Sequence, residues 1–460
     1  MESSILKISQ LLRARKISPV DLTEECLAGI EALNPLLNAF ITVTSDSALR
    51  QARQAETEIQ RGQWRGPLHG IPLGLKDLID TAGVLTTAGS ARFKERIPAA
   101  DADVVERLRG AGAVLLGKQN LHEFAYGGSS LVSHYGAVRN PWNPAHISGG
   151  SSGGSAASVA AGLGYAAIGT DTAGSVREPA AFCGVVGLKP TYARVSVRGV
   201  IPLSSSLDHV GPITRTVADA AILLRALADP AATDASGNVM SLPAGTWLPG
   251  GSSNSLRVGI PRVFFYEDLD AEVAAAVDQA LSVIADLSGE TREVSLNVDT
   301  GRTLQLAESY SIHAEFVARH PELYQPETLR RIRAGENIRP AQIAESRDQL
   351  ERSRREIRRV FEEVDVLVTP TTPMAAPEIA PFREQPDRLR PAELVMLRNT
   401  RPFNVWGIPA ISVPCGVTKA GLPIGLQISG RHWGEASILQ LAGAYERATE
   451  WHTRRPERRA

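Results

Sequence analysis

The chain has 460 residues, with 49 basic against 50 acidic side chains for a net charge of −1, 43% hydrophobic and 22% charged content. This is ordinary globular material able to bury a large core, and its balanced charge offers no steering field for nucleic acid or an anionic membrane. Three scattered cysteines, Cys26, Cys183 and Cys415, exclude a disulfide framework; no Cys-x-x-Cys or His cluster has metal-ligand spacing, and no apolar run reaches the ~20 residues of a spanning helix. The expectation is a cytoplasmic protein without metal, cofactor, membrane or nucleic-acid partner, which leaves a homo-oligomer open.

In chain order, residues 1–62 read as helical, with Leu22, Cys26, Ile30 and Leu33 three or four apart, and Ser18-Pro19 supplies an N-cap and a first-turn proline. Leu68–Leu75 is β-like and leads into Lys76. A helix over Ala102–Ala111 and a strand over Ala113–Leu116 follow. A core of about 63–230 ends in an amphipathic helix, Val217–Ala228. Residues 242–255 are a surface linker by composition. Beyond it the alternation resumes: strand Arg257–Pro261, helix Ala271–Leu287, a strand near Glu293–Leu296, and helices Thr303–Arg319 and Pro340–Val364. Strand Asp365–Thr369 precedes the six prolines of 370–391, which predict an irregular loop. Strands Ala410–Val413 and Pro423–Ile428 and a helix Glu435–Thr449 close the chain. With no repeat, this pattern predicts one α/β domain over 1–460, a mixed sheet between helical layers.

The chemistry concentrates between Ser148 and Thr191. Ser148-Gly-Gly-Ser-Ser-Gly-Gly-Ser155 and Gly169-Thr-Asp-Thr-Ala-Gly-Ser-Val-Arg177 are turns in which residues lacking Cβ leave amide N–H groups uncovered. The Ala-rich run between them favours a helix, followed by a strand over Tyr165–Gly169. The turns place Ser151 and Ser175. Gly-Gly-Ser-Ser recurs at 127–130 and 250–253, so the tetrapeptide alone carries almost no information.

This stretch resembles the amidase signature family over its full length. So do Pro67-Leu-His-Gly-Ile-Pro-Leu-Gly-Leu-Lys-Asp-Leu-Ile-Asp80, Leu116-Gly-Lys-Gln-Asn-Leu-His-Glu-Phe-Ala-Tyr-Gly127, Asn140-Pro-Trp-Asn-Pro144 and Arg401-Pro-Phe-Asn-Val-Trp-Gly-Ile-Pro-Ala-Ile-Ser-Val-Pro414. The likeness thins between about 230 and 360. It implies an amidase-signature α/β fold and a cofactor-free hydrolase of carboxamide carbon–nitrogen bonds, with esters, carbamates and ureas as further substrates. Ser175 is then the nucleophile, Ser151, after a cis peptide, the proton relay, and Lys76 the base, at the expected separations of 75 and 24 residues. For that role Lys76 must be neutral, which burial favours.

Backbone N–H groups of Thr172, Ala173, Gly174 and Ser175 are the expected oxyanion hole. The small-molecule amide is expected against Phe124, Ala125, Tyr126, Trp406 and a proline-rich loop carrying Phe382. Glu178 stands where the family has an apolar residue; it is expected either as an acidic point in the pocket or in a pair with Arg177. Asp171 and Arg177 read as structural. Within the resemblance the alternative is the glutamine-hydrolysing subunit of an aminoacyl-tRNA amidotransferase, whose amino-acid handles are not visible before Asn404. A further alternative is a catalytically silent scaffold.

Competing motifs fail on context. Gly149–Gly153 fits a nucleophile elbow but follows Asn140-Pro-Trp-Asn-Pro144 rather than a strand. Gly112–Lys118 lacks the Ser or Thr of a phosphate-binding loop, and Gly162-Leu-Gly164 follows a helix, not the strand of a dinucleotide fold.

Overall fold

The computed structural model describes residues 4–229, 231–232 and 253–457. The expected linker at 242–255 therefore lies almost wholly outside the described residues. Eleven strands among those described form one sheet: β1 (Phe40–Val43), β2 (Pro72–Lys76), β3 (Val114–Gln119), β4 (Ala166–Asp171), β5 (Val186–Lys189), β6 (His209–Thr214), β7 (Arg257–Ile260), β8 (Glu290–Glu293), β9 (Val366–Pro370), β10 (Ala410–Val417) and β11 (Pro423–Gly430). Their order is β1-β3-β2-β4-β6-β5-β10-β11-β9-β7-β8. The sheet is mixed: β3, β2 and β4 run parallel, as do β9, β7 and β8, and the antiparallel strands β6, β5, β10 and β11 lie between the two groups. Helices flank it, and one buried apolar cluster extends from Ile5 to Tyr445, so the N-terminal helices and the C-terminal helix share a core.

Local chemistry accounts for the elements. Ser18 Oγ accepts the Val20 N–H at 2.9 Å and Pro19 opens the helix Pro19–Leu37, as the sequence predicts. In the helix Gly153–Ala160 every residue is buried. Its small side chains permit this, because a Cβ on Gly154 would lie 2.4 Å from Asn120 O and 2.5 Å from Ala39 O.

The proline-rich segment differs from expectation. It holds helices Ala380–Glu384 and Leu389–Met396, because Pro381 and Pro391 fall in first turns, where a missing N–H costs nothing. Strand β1 also interrupts the segment read as wholly helical. It is four residues long, too short to show an alternating pattern.

Candidate active site

Parallel pairing of β2 with β4, Leu73 against Ala166 and Leu75 against Ile168, brings their carboxyl ends side by side. Lys76 ends β2; Thr170 and Asp171 end β4. In open α/β sheets such ends are where ligands bind. Lys76 is fully buried, with Nζ 2.6 Å from Ser151 Oγ and 2.8 Å from Thr170 Oγ1. Burial lowers its pKa to about 7, against the opposing pull of the Asp171 and Asp208 carboxylates.

The Gly150–Ser151 peptide is cis. The Ser152 N–H donates to Ser175 O at 3.3 Å, so the two turns meet through backbone; among the described residues no hydrogen bond joins the Ser151 and Ser175 hydroxyls. The tetrapeptide at 127–130, uninformative in the sequence, packs against this turn. Ser130 Oγ donates to Ser151 O at 3.3 Å and accepts the Gly153 N–H at 3.2 Å.

The second turn is fixed by Asp171. Its Oδ1 accepts the Gly174 N–H at 2.8 Å and its Oδ2 the Val176 N–H at 3.1 Å, while Arg177 grips both oxygens at 2.9 and 3.0 Å. Burial opposes the charge on Asp171, but the Arg177 guanidinium holds its carboxyl well below the usual range. Gly174 is therefore removed from the expected oxyanion donors, its N–H being committed to a carboxylate. Those of Thr172, Ala173 and Ser175 have no acceptor among the described residues. Only Gly174 needs to be glycine, with φ of +133° and a Cβ that would stand 2.0 Å from Thr400 Oγ1; Ala173 has an ordinary negative φ.

Asp208 went unnoticed in the sequence because nothing local marks it. It accepts from Thr172 Oγ1 at 2.6 Å and from the Leu203 and Ser204 N–H groups, and burial raises its pKa to about 6. A cleft of about 60 Å³ lies here, lined by Ala125, Thr170, Thr172, Pro202, Asp208 and other residues.

Two proposed pocket residues sit elsewhere than expected. Trp406 is buried among Phe265 and Phe403, at ring distances of 6.3 and 5.3 Å, in an apolar cluster with Leu367 of β9 and Ala410 of β10, and it lines a separate 330 Å³ cavity with Leu296 and Ile357. Glu178 neither points at a cation nor pairs with Arg177, which Asp171 occupies. It is fully buried, accepts the Gly150 N–H at 2.8 Å, and burial pushes its carboxyl well above the usual range. Phe124 packs with Phe93, His313 and Tyr324, while Ala125 lines the cleft and Tyr126 is buried beyond it.

A family model described as Amidase matches residues 21–439. The chain belongs to the amidase signature family. Its fold agrees with solved amidase-family structures. A chain from a vestigial protein complex, studied for the origins of an s-triazine catabolic enzyme, superposes with TM-score 0.89 at 31% identity, covering 97% of this chain and 99% of that one. The 6-aminohexanoate cyclic dimer hydrolase with its substrate gives 0.87 at 32%, covering 99% and 98%. A glutamyl-tRNA(Gln) amidotransferase subunit of Chloroflexus aurantiacus (strain ATCC 29366 / DSM 635 / J-10-fl) is 42% identical over 97% of this amidase-family chain and 96% of its own length. That relative overturns the expectation of no link to nucleic acid, since it is part of an enzyme named for a tRNA. Balanced charge describes only this chain's own field and cannot speak for an assembly. Among the described residues no helix is long and apolar enough to cross a membrane.

Proposed function

We propose that this chain is the amide-hydrolysing subunit of an amidotransferase-type assembly, releasing ammonia from a primary carboxamide, with glutamine the first donor to test. The observation that carries the reading is the buried Lys76–Ser151 contact beside an N–H-lined turn ending in Ser175, in a chain 42% identical to an amidotransferase subunit. Ser175 Oγ attacks the carbonyl carbon while its proton passes to Ser151, whose own proton moves to the neutral Lys76 amine. The Thr172 and Ala173 N–H groups face the developing oxyanion, where a donor contributes roughly 2.7–4 kcal/mol. Lys76 returns the proton through Ser151 to the amine, which leaves as ammonia, and water resolves the acyl-enzyme along the same relay.

A second reading, a free-standing hydrolase of another small amide, is favoured by one observation. The carboxylate nearest in sequence before Asn404, Glu393, is fully buried and committed to Arg331 at 2.8 Å and Ser129 at 2.7 Å, so it offers no handle for an ammonium group. The test is ammonia release from glutamine by the chain alone and with proteins that co-purify with it from its native cell. Release that needs or rises with a partner supports the subunit reading. Turnover of other amides by the chain alone, unchanged by any partner and absent with glutamine, supports the second.

A further inference from the structure

The two N–H groups assigned to the oxyanion belong to residues that are each held from a distant segment. Thr400 Oγ1 donates to Ala173 O at 2.7 Å, and Thr172 Oγ1 donates to Asp208 Oδ1 at 2.6 Å. An oxyanion donor acts only if its direction is fixed before the charge develops, so what fixes Asp208 matters to the turn.

Asp208 has little latitude of its own. Its Oδ2 accepts the Leu203 and Ser204 N–H groups at 2.9 and 3.0 Å, which closes residues 203–208 into a tight loop. Ser204 is the joint to a second carboxylate. Its hydroxyl donates to Glu308 Oε2 at 2.5 Å, and Glu308 also takes the Ser206 N–H at 3.2 Å and the Ser206 hydroxyl. Glu308 is 8% exposed on the helix Thr303–Arg319, so both of its oxygens are spent on this loop. Two further donors clasp the loop's carbonyls: the Tyr192 hydroxyl reaches Ser205 O at 2.8 Å, and Arg354 of the helix Pro340–Glu356 reaches Ser206 O at 2.7 Å. A serine-rich stretch without helix or strand would otherwise sample many conformations; these contacts leave it one. Asp208 and Thr172 line the same cleft, yet both oxygens of Asp208 are taken by the protein, so the carboxylate acts on the turn rather than on a substrate cation.

We propose that Asp208 is a positioning residue for the oxyanion donors: it sets Thr172 through the hydroxyl, and Glu308 sets Asp208 through Ser204 and Ser206, so that the helix Thr303–Arg319 orients the catalytic turn. This rests on the amide-hydrolase reading above.

The test measures kcat and KM on the primary amide that the native chain turns over fastest, glutamine included, and in parallel the rate at which a neutral phosphonate labels Ser175, whose phosphoryl oxygen needs the same donors. The Asp208 charge also acts on Lys76, so Thr172→Val, which removes only the hydroxyl, is the cleanest probe. Thr172→Val and Asp208→Ala should each lower kcat about tenfold with KM within about twofold, less than the loss of a whole donor because the N–H is displaced and not removed. The double variant should be no slower than Asp208→Ala, since both changes delete one contact. Thr172→Ser should recover most of the Thr172→Val loss, and Glu308→Gln, one contact further out, should cost about threefold in kcat. If Asp208→Ala does not fold, Thr172→Val against Thr172→Ser decides alone. Losses confined to KM, an unchanged kcat and labelling rate in Thr172→Val, or a purely additive double variant overturns the positioning role and leaves the hydrolase reading standing. Slower labelling of Ser175 in Thr172→Val, with no ammonia released from any amide by the native chain, keeps the positioning role and overturns the ammonia-releasing reading.

Discussion

Burial alone makes the neutral amine of Lys76 available near pH 7, since both neighbouring carboxylates pull its pKa back up. In the proposed relay the reactive form is the neutral amine, so kcat/KM should rise with pH through about 7 and fall as Lys76 gains its proton below that value. Lys76→Ala should lower amide turnover by roughly 10²–10⁴-fold, and ester turnover less, because an alkoxide leaves without needing the proton as badly. A pH profile that is flat from 6 to 9, or equal losses on a matched amide and ester, would count against the relay.

Glu178 makes a separate prediction about stability. Its folded-state pKa stands well above 4.5, so folding favours the protonated form and stability present below the unfolded value is lost as pH rises past it. Glu178→Gln is neutral at every pH and keeps an acceptor for the Gly150 N–H. The variant's Tm should therefore gain on the native protein between pH 5 and pH 8; a constant difference would show that Glu178 is not buried as a neutral acid. The sequence marks this residue by its place after the nucleophile but not its direction, because which way a carboxylate turns depends on Gly150, 28 positions away.

At the scale of elements, the proposed catalysis depends on how β4 ends. Asp171, gripped by Arg177, holds the turn by two N–H groups, and the turn's glycine is set by Thr400 from a distant segment. Gly174→Ala should displace the oxyanion donors and lower kcat by roughly 10²-fold or more, the loss typical of one missing donor. Ala173→Gly, at a negative φ, should change kcat/KM by less than about twofold. Steady-state kinetics on the two variants checks both, and a harmless Gly174→Ala would remove the turn from the account.

Elements with strong local signals were legible in the sequence. The helix Ala271–Leu287 has the predicted bounds, and Ser18-Pro19 caps as its chemistry dictates. Strands β5 and β6 were not, since each is a short run next to the Gly-rich core whose pairing is supplied by strands far along the chain. The prolines of 370–391 misled because only their position within a turn decides whether a helix survives them.

For the whole molecule, the fold followed from the order of motifs, whereas the sheet order and the place of Asp208 beside Thr172 are properties of the assembled chain. Composition also limits what can be inferred about partners: a net charge of −1 is compatible with a chain whose assembly handles tRNA.

The central claim is that Ser175, served by Ser151 and Lys76, forms the acyl-enzyme. Incubation with a serine-directed phosphonate followed by peptide mass mapping tests it most directly. The adduct should fall on Ser175, and Lys76→Ala should slow its formation. An adduct on Ser151, or on neither serine, would contradict the account.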